Sequence, residues 1–156
     1  MSLSKVFVYG TLKKGEPNHY WFESKNGFSK LIDCGSTVLK YPLIIGTKYN
    51  IPFLLAQPGT GYNVQGEVYE VDDRMLKNLD TLEDHPNFYI RKEDDIKLNS
   101  GEIHKCWIYF IVNFKPELLK KEMYENYSSS GLHNLVYTER YNRDPTYTAK
   151  NDILQQ

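Results

Sequence analysis

The sequence has only two cysteines, Cys34 and Cys106, in 156 residues. No disulfide framework or C-x-x-C pair can be built from them. Both are expected to be reduced and packed in strands. Long apolar runs are missing too: the longest, Cys106 to Val112, is far below the roughly 18–20 residues that span a bilayer. The first residues lack the charged-then-apolar order of a signal peptide. Nor is there an excess of charge, since 19 Lys and Arg face 20 Asp and Glu. No basic field therefore exists to hold a phosphate backbone or an anionic membrane. These absences predict a cytoplasmic protein with neither nucleic acid nor membrane as partner, and a monomer is expected. With no repeat, linker or low-complexity stretch, residues 1–156 are read as one domain whose last residues fray.

Familiar catalytic signatures are absent as well. There is no G-x-S-x-G, no P-loop and no G-x-G-x-x-G, so serine hydrolase, nucleotide and dinucleotide chemistries lack their usual anchors. The histidines, His19, His85, His104 and His133, form no i,i+4 pair, and His104 with Cys106 is half a metal site, so no metal is expected. A cysteine nucleophile would need an electropositive helix start, whereas both cysteines fall in predicted strands.

What is abundant is tyrosine: 13, against 7 phenylalanines and 2 tryptophans. Each buried hydroxyl needs a partner, which suits either a polar cavity or a core edge wetted by solvent. The pattern along the chain is of short strands: Lys5–Tyr9, Leu31–Leu39, Pro42–Thr47, Phe53–Ala56, Val64–Val71, Tyr89–Leu98 and Ile103–Val112. Turn residues separate them. In the last strand Cys106, Ile108 and Phe110 alternate with Trp107, Tyr109 and Ile111. Both faces are apolar, so something must cover the outer one. The segment Asp72–His85 is the obvious cover, a helix capped by Asp72 or Asp73 and stopped by Pro86. A second, shorter helix is predicted over Lys115–Tyr127, with Pro116 in its first turn. The fold class is thus α+β: a small mixed β-barrel of about six or seven strands with two or more helices packed outside.

Two features could carry chemistry. Met75, Leu76, Leu79 and Leu82 share one arc of the first helix, and Glu83 falls inside it, about 40° from Leu79. A carboxylate facing the core at the negative end of a helix dipole has its pKa raised, which is what a general acid or base needs near pH 7. The alternatives are an ion pair with Arg91 or Arg140, or a side chain turned to solvent. The second feature is Tyr9-Gly10-Thr11-Leu12, where a strand ends and the following N–H groups lack ladder partners. Such amides can hold a carboxylate or an oxyanion, and Gly10 would let a ligand approach the main chain.

Both features lie in a pattern that resembles a known family. Val6-Phe7-Val8-Tyr9-Gly10-Thr11-Leu12-Lys13-Lys14-Gly15, continuing to Pro17-Asn18-His19, is similar to the opening of the gamma-glutamylamine cyclotransferase branch of the gamma-glutamyl cyclotransferase-like (AIG2-like) family. Leu79-Asp80-Thr81-Leu82-Glu83 with Pro86, Tyr89 and Arg91 resembles its second motif. Tyr127 to His133, then Tyr137, Arg140, Asn142 and Arg143, resembles its C-terminal pattern. The resemblance implies a small barrel that converts a gamma-glutamyl amine to 5-oxoproline and the free amine without a cofactor. Glu83 would be the catalytic acid/base, and Tyr9, Gly10, Thr11 and Leu12 would bind the substrate. For this branch the implied substrate is the gamma-glutamyl-epsilon-lysine isopeptide left by degraded transglutaminase crosslinks, since Thr11 and Lys13 replace the Ser-Asn loop of the peptide-acting branches. Other gamma-glutamyl amides or peptides remain alternatives, as does a non-catalytic barrel binding a small carboxylate.

Overall fold

A computed structural model describes residues 2–155. Among them are β1 (Leu3–Val8), β2 (Ser29–Thr37), β3 (Leu43–Gly46), β4 (Ile51–Leu54), β5 (Gln65–Asp72), α1 (Asp73–Leu82), β6 (Ile90–Leu98), β7 (Ile103–Phe110) and α2 (Lys150–Ile153). Five strands close into a barrel in the order β1-β5-β2-β6-β7, and β3 with β4 makes a separate hairpin. The barrel is mixed, since β1 meets β7 in parallel and its other neighbours are antiparallel. This is the expected α+β barrel with helices outside, its seven strands divided five and two.

Strand alternation sorts the core into two layers. Phe7, Val68, Ile96, Cys106, Ile108 and Phe110 pack together inside the barrel. Val6, Val8, Val71, Tyr109 and Ile111 point outward and pack with Met75, Leu79 and Leu82 of α1. The apolar outer face of β7 is therefore covered as its sequence requires. Gly66 of β5 is obligatory inside, because a Cβ there would lie 2.3 Å from the Val8 carbonyl and 2.7 Å from the Phe7 ring. The hairpin is tied to the end of β7 by Ile111 N–H to the Leu54 carbonyl at 2.8 Å and Ala56 N–H to the Ile111 carbonyl at 2.9 Å. That seats Pro52 of β4 against the loop that follows β1.

The Asp72 carboxylate caps α1 by accepting from Met75 N–H at 2.8 Å. Met75 and Leu79, both fully buried, each contribute about 1.5–3 kcal/mol through their burial. The other end closes as a Schellman motif. His85 N–H donates to the Asp80 carbonyl at 2.9 Å and Asp84 N–H to that of Thr81 at 3.2 Å, with Asp84 in the left-handed region at φ 54°. Glu83 is the C-cap residue, so the motif fixes where its side chain leaves the helix.

Two expectations are corrected. The second predicted helix, Lys115–Tyr127, is only a 3-10 turn at Pro116–Lys120. The chain beyond it runs extended, with Tyr124 N–H donating to the Leu43 carbonyl and Gln65 N–H to that of Glu125. These sheet-edge bonds satisfy groups a helix would have paired internally. Cys34, expected to be packed, is exposed, and Cys106 is buried; the stretch Lys30–Ile32 of the same strand is exposed as well, with no described element over it. At the C-terminal end α2 buries Ile153 fully, and residues near it pair with Asn113–Lys115.

Candidate active site

The loop after β1 is shaped by its own polar groups. Lys13 N–H returns to the Gly10 carbonyl at 3.1 Å, and Asn18 N–H reaches the Thr11 carbonyl at 2.8 Å. The buried Asn18 amide also donates to Thr11 Oγ1 at 2.9 Å. Tyr9 is anchored by its hydroxyl, which donates to the Tyr109 carbonyl at 2.7 Å. Among the described residues no acceptor meets the N–H groups of Gly10, Thr11 or Leu12. Gly10 is required by packing: a Cβ there would lie 2.8 Å from Pro52 Cγ. The main chain's close neighbour at this point is thus the hairpin proline.

These amides line a cavity of about 330 Å³, and Glu83 lines the same cavity. A space of this size suits a small molecule. Glu83 is half-buried, with its open side on the cavity, and burial pushes its carboxyl from an ordinary 4.5 up to about 7, against the opposing pull of Arg140. Of the two arginines considered as its partner, Arg91 is committed elsewhere, with Nε at 2.9 Å and Nη2 at 3.0 Å from the Asp80 carboxylate. Arg140 approaches, donating from Nη2 to the Leu82 carbonyl at 3.3 Å. No hydrogen bond to the Glu83 carboxylate occurs among the described residues, so its oxygens are open to a ligand.

More of the wall comes from the hairpin and from residues 137–150, a strap that lines the same cavity. Thr138 N–H donates to the Tyr49 carbonyl at 2.9 Å, and the Tyr49 hydroxyl accepts from Asp144 N–H at 2.8 Å. Arg143 lies over the rings of Tyr49 and Tyr137, about 5 Å from each centroid. Lys150 pairs with Asp84 at the mouth. The Tyr89 hydroxyl donates to the Pro52 carbonyl at 3.0 Å, fixing the hairpin beside Glu83. Every site residue expected from sequence, Tyr9, Gly10, Thr11, Leu12 and Glu83, thus meets in one cavity. Asn18, Tyr137, Arg140 and Arg143 join them. From sequence, Arg140 stood only as a possible ion-pair partner of Glu83, and the other three only as members of a pattern, without roles.

His133 stays off the cavity wall; its Nδ1 accepts from Leu135 N–H and its Nε2 donates to the Ser128 carbonyl. Among the described residues no group of three or more His, Cys, Asp or Glu side chains is arranged to hold a metal ion, and no helix is long and apolar enough to cross a membrane.

The chain is similar to known proteins along most of its length. The family profile described as "Gamma-glutamyl cyclotransferase, AIG2-like" matches residues 6–129. Gamma-glutamylaminecyclotransferase C of Danio rerio is 44% identical, covering 92% of this chain and 98% of its own. The Mus musculus gamma-glutamylaminecyclotransferase is 39% identical over 90% of this chain and 100% of its own. The crystal structure of an AIG2-like protein from Mus musculus superposes with a TM-score of 0.87 at 39% identity, covering 92% of this chain and all of the other. The chain therefore belongs to the gamma-glutamyl cyclotransferase, AIG2-like family.

Proposed function

We propose that the protein is a gamma-glutamylamine cyclotransferase that converts gamma-glutamyl-epsilon-lysine to 5-oxoproline and free lysine. The observation that carries this is the Glu83 carboxyl, which burial pushes up to about 7, on the wall of the same cavity that Gly10, Thr11 and Leu12 line. The names of the relatives support the same reaction class.

The chemistry is intramolecular. Glu83 takes a proton from the substrate's α-ammonium, and the freed amine attacks the γ-carbonyl carbon to close a five-membered ring. The carbonyl oxygen becomes an oxyanion. When it re-forms the double bond, the bond to the leaving amine breaks and Glu83 returns its proton to that nitrogen; the ring nitrogen sheds its second proton to the freed Glu83 carboxylate, which hands it on to the departing amine, so that the amine leaves as an ammonium and Glu83 ends ionised. No protein nucleophile or cofactor takes part. Holding the substrate folded for attack is worth roughly 7–11 kcal/mol. An α-amino group titrates near 7.7–8.0, and higher beside a free carboxylate such as the substrate's own. A carboxyl pushed up to about 7 therefore accepts its proton at a cost of about 1–3 kcal/mol, about 3 kcal/mol less than an ordinary carboxyl would require. The loop amides hold either the α-carboxylate or the oxyanion.

The test is release of 5-oxoproline and lysine from gamma-glutamyl-epsilon-lysine, with gamma-glutamyl alkylamines and glutathione as competitors. Release by the parent and loss of at least 10³-fold in Glu83→Gln is expected. Turnover of none of these substrates by the parent overturns the cyclotransferase reading, and full activity in Glu83→Gln overturns the choice of base.

A further inference from the structure

Tyr137 is buried, and its hydroxyl sits among three cavity-lining residues: itself, Asn18 and Arg143. Its oxygen accepts from Asn18 Nδ2 at 3.1 Å and from Arg143 Nη2 at 2.8 Å. A phenolic oxygen has two acceptor positions and one proton. Both acceptor positions are filled, and among the described residues the proton has no acceptor. An O–H without a partner in a buried place is costly unless something arrives to receive it. The guanidinium at 2.8 Å also draws charge from the oxygen, which strengthens the O–H as a donor.

Its position narrows the recipient. Asn18 links the Tyr137 oxygen on one side to Thr11 Oγ1 on the other, so the phenol proton lies one residue away from the free amides of Gly10–Leu12. Gly10, Thr11, Leu12 and Tyr137 all line one cavity. Glu83, whose carboxylate can accept, and Arg140 line that cavity too. A set of donors with no competing acceptor among them fits an anionic oxygen.

We propose that Tyr137 is a substrate-contacting residue, whose O–H donates to the same anionic oxygen, α-carboxylate or oxyanion, that the Gly10–Leu12 amides hold. This rests on the cyclotransferase reading. The proton stays on Tyr137 throughout, and no bond to it forms or breaks. The C-terminal strap then supplies a donor for the reaction as well as a cover.

The experiment compares the parent, Tyr137→Phe and Arg143→Met on gamma-glutamyl-epsilon-lysine, with a gamma-glutamyl alkylamine as second substrate and thermal melting as the control for folding. Arg143→Met vacates one acceptor position of the phenol and keeps its proton, whereas Tyr137→Phe removes both. If the oxygen served is the oxyanion, Tyr137→Phe lowers kcat by about 10²–10³ at nearly constant KM. If it is the α-carboxylate, KM rises by about 10–100-fold. Either result on both substrates, with a smaller loss in Arg143→Met, supports the proposal, and the split between kcat and KM identifies the oxygen. Equal losses in the two variants overturn it, because the phenol would then act only by seating Arg143. Activity within threefold of the parent in Tyr137→Phe also overturns it. A Tyr137→Phe chain that melts early is replaced by the parent with 5-oxoproline and a des-carboxy lactam as ligands; equal affinity for the two, with an active parent, overturns the carboxylate form, leaving the kcat arm to be read on Tyr137→His. A parent inactive on every gamma-glutamyl substrate fails the cyclotransferase reading first and overturns this inference with it, and the parent's own rate tells that case from the others.

Discussion

Replacing Glu83 by Gln should stabilise the protein while it abolishes turnover, and the gain should depend on pH. Burial holds the Glu83 carboxyl at about 7 against an ordinary 4.5. At about 1.4 kcal/mol for each tenfold change in acidity, keeping the ionised form in the fold costs about 3 kcal/mol. Below pH 4.5 the carboxyl is protonated in folded and unfolded chains alike, and that cost is absent. Between 4.5 and 7 the unfolded chain gives up its proton while the folded chain keeps it, so stability falls as pH rises. Above 7 the full cost is present. Glutamine has a similar shape and no charge to desolvate. It should therefore leave the melting temperature nearly unchanged at pH 4.5 and raise it by roughly 6–12 °C at pH 8, taking about 2–4 °C per kcal/mol for a chain of this size. Calorimetric melting of both proteins at four pH values across that range is the assay, and the difference cancels every other titrating group. A melting difference that stays constant with pH, or a Gln variant less stable at pH 8, would refute the reasoning. In the proposed mechanism the same 3 kcal/mol makes Glu83 basic enough to take the substrate's proton.

Further outcomes can be checked separately. The kcat/KM profile of the parent should rise with unit slope through a pH of about 7, and Arg140→Gln should move that limb to higher pH, because the Arg140 charge pulls the Glu83 carboxyl down; an unmoved limb would show that Arg140 does not sense Glu83. Gly10→Ala drives a Cβ to 2.8 Å from Pro52 Cγ, so urea denaturation should show a loss of about 1–3 kcal/mol with activity falling as the loop shifts. Asn18→Ala releases Thr11 and leaves the Tyr137 oxygen short of one donor. It should cost about 1–3 kcal/mol in stability and raise KM, and an unchanged KM would mean the loop holds its shape without Asn18.

The parts of the site that were legible in the sequence are those with a local period or a local break. Glu83 stood out because Met75, Leu79 and Leu82 set a helical face on which a carboxylate is out of place, and the structure buries that face. The loop at Gly10 was marked by the end of a β-branched run. The strap had no such signal. Tyr137 reaches Asn18 across 119 positions, and nothing in the neighbourhood of either residue encodes that distance. The segment 115–127 misled for a related reason: Leu118, Leu119 and Met123 have helical spacing, yet the hydrogen bonds that decide its conformation come from Leu43 and Gln65. Cys34 was misjudged because a strand's outer face is packed only where another element arrives to cover it.

The order of the chain also has a consequence during synthesis. All five barrel strands are complete by Phe110, so a growing chain holds every barrel strand while residues 137–150 are still to be made. Those residues supply part of the wall around Glu83 and the loop after β1, so the cavity is finished only when they emerge. A chain that stops between residues 111 and 136 would hold every barrel strand and lack that part of the wall.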